Sequence, residues 1–265
     1  MTNTFDFLDG KGPVPAHRHP NGGGWVADRA RVAESAHIGP DARVSDNARV
    51  YGDAWVYDNA LVYGNAWVCG DALVYGDALV YGNALVYGNA QVSGNAQVSG
   101  NARVYGNAWV YDNALVYVNA RVYGDALVYG DARVSGNARV YDNAVVSGNA
   151  RVYDNAVVSG NAWVYDNAVV SGNAEVSGDA EVSGNARVSG NACINRGEYT
   201  ETPVTITRGD GYTFTLQADG GVIAGCRDFT REQAVAHWGD PKHHKHAESM
   251  AILTALYTIA DARRP

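Results

Sequence analysis

A chain of 265 residues, 46% of them apolar, can bury a core as one large or two small domains. A formal net charge of −8 and a pI near 5.3 argue against a nucleic-acid partner, and three cysteines, Cys69, Cys193 and Cys226, odd in number and far apart, argue against a disulfide framework. No segment has the length of a membrane span, and the start, MTNTFDFLDGKGP, lacks a basic stretch before an apolar run, so a cytoplasmic protein with no membrane partner is expected.

Residues 1–24 read as an irregular lead-in that caps the first coil of a repeat, with Pro13, Pro15, Pro20 and Gly22 to Gly24. From 25 to 195 the chain repeats every six residues. Alanine stands at every sixth position from Ala30 to Ala192, and Val or Ile two residues after it through Ile194. A six-residue period puts no residue type on one face of an α-helix, whereas Ala-x-Val is a short strand with two inward side chains and a turn after it. Three such strands make a triangular coil of 18 residues. Parallel stacking at about 4.8 Å then gives roughly nine coils and a prism about 43 Å long. The residue before Ala is almost always Asn or Asp, both tolerant of a left-handed backbone. The residue before that is Gly or Asp except at Val118, and a β-branched residue resists positive φ. The left-handed residue is therefore assigned to the Asn/Asp column.

The pattern Val-x-x-Asn-Ala-x, held from about 24 to 195, resembles the hexapeptide repeat of left-handed parallel β-helix proteins, a superfamily best known from acyltransferases. The resemblance implies a left-handed parallel β-helix and a tendency to form trimers packed side by side. The segments HPNGGGWVADRARVAESAHIGPDARV and AGCRDFTREQAVAHW are also similar to uncharacterised bacterial and bacteriophage hexapeptide-repeat proteins, a likeness that carries no activity with it.

Residues 196–265 lose the period and read as a small α+β domain. TPVTITRGDGYTFTLQADGGVIAGCRDF alternates as strands with turns at Gly209 to Gly211 and Asp219 to Gly221. TREQAVAHW reads as a short helix opened by a Thr230/Gln233 capping box, and a second helix over about 246–263 carries Met250, Leu253, Leu256, Tyr257 and Ala260 on one stripe. The fold class is thus mainly β, a left-handed parallel β-helix with this domain after it.

Each strand leaves two outward positions, and residues 18 apart share a face. One face lines up Trp55, Tyr57, Leu73, Tyr75, Trp109, Tyr111, Leu127, Tyr129, Trp163 and Tyr165, an apolar aromatic strip of the kind that marks an oligomer interface, with a cross-strand ladder as the plainer alternative. A second face stacks Arg103, Arg121 and Arg139 beside Tyr105, Tyr123 and Tyr141, a possible anion-binding surface, or else arginines stacked on tyrosine and solvated. The third mixes Arg43, Leu61, Leu79, Gln97, Leu115, Arg133, Arg151 and Val169 and suggests nothing sharper.

No catalytic residue is assigned. A hexapeptide acyltransferase needs a histidine base and pocket-forming loops, and this repeat has only His37 and no loops. Cys226, His237, His243 and His244 gather near the end as weak metal candidates whose spacing matches no zinc pattern, so no metal and no cofactor are expected. The chain reads as a non-enzymatic homo-oligomer, trimer favoured, presenting a surface or inter-subunit pocket to a protein or small-molecule partner. A phage origin would agree with the second likeness. An acyl-CoA-dependent acyltransferase and a protein that sequesters an anionic small molecule such as a nucleotide are the alternatives.

Overall fold

The computed structural model describes residues 3–225 and 227–263. Most hexads of the repeat form a strand of two residues, such as Trp109–Val110 or Arg121–Val122, with the turn taking the other four, while Trp67–Gly70, Leu85–Gly88 and Arg103–Gly106 run on to four. Strands 18 residues apart pair in parallel and in register, as Trp109 with Leu127 and Arg121 with Arg139. The first outward residue of each strand donates its N–H to an alanine carbonyl one coil further on, as Arg121 does to Ala138 at 2.9 Å. One face of the solenoid carries ten parallel strands, from Trp25–Ala27 to Arg187–Val188. The chain is therefore a mainly β solenoid of about ten turns, close to the nine expected.

Its core is one column of small and medium side chains. From Ala36 to Ile194 the inward Ala and Val or Ile residues are buried and form a single cluster. Alanine beside the turn and valine along the strand suit a narrow interior, and the only larger residues in these inward positions from 36 to 194 are Ile38 and Ile194, near its two ends.

The corners correct the assignment of the left-handed residue. Positive φ falls in the Gly/Asp column, at Gly100 (67°), Asp112 (58°), Gly124 (73°) and Val118 itself (66°), and not in the Asn/Asp column. A Cβ added to Gly100 would come within 2.9 Å of the Val118 nitrogen in the next coil, so this column is crowded along the axis as well as twisted. Val118 is the one β-branched residue in this column among the described residues, with Gly100 and Gly136 one coil away on either side. Val118→Gly is expected to stabilise the protein by about 1 kcal/mol, since the left-handed cost of roughly 1–2 kcal/mol exceeds the extra chain entropy of glycine. A thermal melt checks this, and a lowered midpoint would count against it.

The Asn column does something else. From Asn47 through Asn65, Asn83, Asn101, Asn119, Asn137, Asn155 and Asn173 to Asn191, each Nδ2 donates to the next Oδ1 at 3.0–3.4 Å, so one corner carries an unbroken amide ladder. At the other corners aspartate ends such runs: Asn107 donates to Asp125 at 2.8 Å and Asn113 to Asp131 at 3.1 Å. An ionised carboxylate accepts but has no proton to pass on.

Successive N–H and C=O groups of a strand point to opposite neighbours, so the first and last coils each leave unpaired donors and carbonyls along their outer edge. At the far end Arg187 N–H donates to Thr202 Oγ1, Cys193 N–H to Thr215 Oγ1 and Asn195 N–H to Gln217 Oε1, each at 3.2 Å, while Gln217 Nε2 donates to the Cys193 carbonyl at 3.0 Å. These oxygens come from the segment after the solenoid, which includes an antiparallel sheet of Thr205–Thr207, Thr213–Leu216, Val222–Ala224 and Arg227–Phe229. Helices α1 (Arg231–Gly239) and α2 (His246–Ala262) accompany that sheet, and Phe214, Trp238, Leu253 and Leu256 form the core. The capping box at Thr230 and Gln233 is present. At the near end Arg18 donates to the Pro40 carbonyl at 2.9 Å and Asn21 Nδ2 to that of Ser35 at 3.2 Å, while the strand Val14–Arg18 pairs antiparallel with Trp25–Ala27.

Candidate functional site

On the first face the register places Trp55, Leu73, Gln91, Trp109, Leu127, Val145 and Trp163 one above another. Tryptophan thus returns every third coil. Each stands proud of the sheet, with Trp55 48%, Trp109 43% and Trp163 49% exposed. Tyr57, Tyr75, Tyr111, Tyr129 and Tyr165 lie half-buried beside them. The unit is built twice in the same way. Trp55 meets Tyr57 edge-on at 6.3 Å with Tyr57 stacked on Tyr75 at 4.9 Å, and Trp109 meets Tyr111 at 6.2 Å with Tyr111 stacked on Tyr129 at 4.8 Å. Burial and the neighbouring ring raise the phenol pKa of Tyr57 and of Tyr111, so both are neutral hydrogen-bond donors at ordinary pH. At the strip's start His37 pairs in register with Trp55, its ring 4.5 Å away and its Nδ1 3.1 Å from Asn21 Oδ1.

On the second face Arg103, Arg121 and Arg139 pair in register and are exposed. The tyrosines do not cover them. Tyr87, Tyr105, Tyr123 and Tyr141 stack on one another at 4.8–4.9 Å and within 5° of parallel. Among the described residues the three arginines form no ion pair, and a shallow cavity of about 360 Å³ lies over Asn119, Arg121, Asn137 and Arg139.

The third face, featureless in the sequence, holds a cavity of about 340 Å³ lined by Tyr117, Arg133, Ser135, Gly136, Arg151, Tyr153, Asp154, Val169 and Arg187. Arg133 and Arg151 are paired in register and exposed at its floor. A signal for it exists in the column beside them. Residues 63, 81, 117 and 153 of that column are tyrosine, and Ser99 and Ser135 interrupt them.

The terminal histidines do not converge on a metal. His237 stacks on Phe229 at 5.2 Å and lies 4.9 Å from the His243 ring, and burial, aided by His243 and Arg227, pushes its pKa down. His243 Nδ1 is 2.7 Å from the His244 carbonyl oxygen, and His244 is exposed. Cys226 lies outside the described residues. Among the described residues no group of three His, Cys, Asp or Glu side chains is placed to hold a metal ion, and no helix is long and apolar enough to cross a membrane.

The YdcK beta solenoid repeat matches the chain at residues 42–57, 54–70, 72–88, 78–94, 96–112, 120–136, 132–148 and 150–166, all within the prism. No curated protein matches it. With ten stacked parallel strands on one face and these repeats along its shaft, the chain is a β-solenoid repeat protein.

Proposed function

We propose that the protein is a non-enzymatic β-helix scaffold of the left-handed, hexapeptide type that assembles as a cytoplasmic homo-oligomer, a trimer in the first instance, and offers a rigid surface or inter-subunit groove to a protein or small-molecule partner. The observation that carries this reading is the tryptophan strip. Three large rings about half exposed on one face of the sheet are costly to leave in water, and exposed apolar patches of this size mark contact surfaces. The best-matched occupant is a second copy of the same chain, since only another stack with the same rise repeats its knobs and hollows every third coil along the whole length.

Sedimentation of the purified chain should give an oligomer at micromolar concentration. Changing Trp55, Trp109 and Trp163 together to Lys should give monomers, with at least about a hundredfold loss of association, while the β-rich circular dichroism persists. A wild-type monomer at that concentration would refute the reading. One observation favours an acyltransferase instead, namely that His37 sits at the end of this same strip, where an inter-subunit groove would run. Turnover in a screen of acyl-CoA thioesters would put that reading in place of the first.

A further inference from the structure

In this solenoid a tyrosine column is a stack with one ring per coil. On the third face Tyr63 and Tyr81 show the intact step, with centroids 5.0 Å apart and planes within 2°. Where serine replaces tyrosine, one ring is missing while the backbone keeps its register: Leu115 pairs with Arg133 and Arg133 with Arg151. Tyr117 and Tyr153, on either side of Ser135, therefore stand two coils apart, about 9.6 Å at a strand spacing of about 4.8 Å. A flat ring placed midway would lie about 4.8 Å from each, the separation that the protein's own rings adopt.

We propose that the missing rung at Ser135 is a slot for a planar aromatic ring bearing a phosphate, a mononucleotide by chemical class, with the ring between Tyr117 and Tyr153 and the phosphate on Arg133 and Arg151. The cavity there, about 340 Å³, falls within the range of roughly 300–1,000 Å³ that holds small ligands. Arginine is suited to the phosphate because its guanidinium presents paired donors, and Arg187 lines the same cavity two coils beyond Arg151. The one carboxylate there, Asp154, already accepts from Gly172 N–H at 3.2 Å, which holds it at the corner.

The other interruption of the column is an internal control. Ser99 lies between Tyr81 and Tyr117 over a smaller cavity of about 220 Å³, flanked by Gln97 and Leu115 in place of arginines, and the Tyr81 hydroxyl there donates to Gln97 Oε1 at 3.4 Å. That gap has the shape without the charge. A long nucleic-acid strand is disfavoured by the same contrast, because the basic slot does not continue along the column and the chain carries a net charge of −8. The slot lies on a different face from the tryptophan strip and stands independently of the assembly reading.

The test is calorimetric titration of the full chain with AMP, adenosine, inorganic phosphate and a short single-stranded oligonucleotide, at low and physiological salt. AMP is expected to bind more tightly than adenosine or phosphate, and more weakly as salt rises. Ser135→Tyr should supply the missing ring, melt no lower than wild type and weaken AMP by at least about tenfold, the scale of one base stacked on an aromatic side chain. Ser99→Tyr should leave AMP binding unchanged. Arg133→Gln with Arg151→Gln should also lose about tenfold or more and remove most of the salt dependence. Should Ser135→Tyr fail to fold, Tyr153→Leu gives the same reading by removing one wall. The proposal is overturned if AMP does not bind at millimolar concentration, if a folded Ser135→Tyr binds it like wild type, if phosphate or adenosine alone binds as tightly, or if the oligonucleotide binds more tightly per nucleotide than AMP.

Discussion

Val110→Asp is expected to open the middle of the shaft while leaving both ends folded. Val110 is fully buried in the central column, paired with Val92 on one side and Val128 on the other, so the new carboxylate would face only Ala and Val side chains. An ionised carboxylate there has no hydrogen-bond partner, and the penalty should exceed about 4 kcal/mol. In a solenoid each coil contacts only its neighbours, so the damage is local. Hydrogen exchange should show lost protection over the coils on either side of position 110 and retained protection toward both ends. Val110→Ala, which only removes methyl groups, should cost about 2 kcal/mol and leave the exchange pattern intact. Burial would raise the folded-state pKa of the new aspartate above its unfolded value of about 3.9. Protonation then favours the folded form, so the variant should recover stability below about pH 4 and lose it as pH rises through the raised value. Uniform loss of protection along the whole chain would show that the prism unfolds as one unit.

Gln217→Leu should loosen the far end of the prism. Gln217 is buried, and its amide accepts from Asn195 N–H at 3.2 Å and from the Tyr199 hydroxyl at 3.3 Å while donating to the Cys193 and Thr215 carbonyls at 3.0 and 3.2 Å. The same packing buries Tyr199 and pushes its phenol up to about 12. Leucine has similar bulk and none of these bonds. Each buried group left without its partner costs about 1–3 kcal/mol, so a loss of about 2–4 kcal/mol is expected at the cap. Amides of 193–199 should exchange faster, and the exposed strand edge should promote end-to-end association at high concentration. Unchanged exchange at Cys193 and Asn195 would mean that the side chain fills space without closing the edge.

The period of the repeat, its inward Ala and Val columns and the pairing of residues 18 apart are all legible in the sequence, because each is a one-dimensional pattern that parallel stacking turns directly into geometry. The helix start at Thr230 is legible for the same reason, since its bonds span only three residues. The left-handed column is not, because the resistance of Val118 to positive φ, taken alone, points to the wrong position. In the folded chain the whole Gly/Asp column takes positive φ from coil to coil, and the repeat's geometry overrides the local preference of the single valine. The role of Gln217 is hidden because it depends on an edge more than twenty residues away in sequence. The tryptophan strip becomes visible as soon as the faces are written out. The slot at Ser135 does not, because it consists of an omission, and a column declares itself by the side chains it contains and not by the rung that is missing.

The amide ladder along one corner has a further consequence for how such a chain can change length. Every coil is three hexads, and the ladder advances by 18 residues at each step. Insertion or loss of 18 residues would only lengthen or shorten the shaft, keeping the ladder, the tryptophan strip and both ends in phase. A change of six would preserve the inward Ala and Val pattern equally well, yet would turn everything beyond it by about 120° around the axis. Asn119 would then face a different corner from Asn101, and Trp163 a different face from Trp109. Translation and rotation are thus separable modes of mutation in this fold, and the continuous ladder from Asn47 to Asn191 records a shaft in which the angular phase has been held from one end to the other.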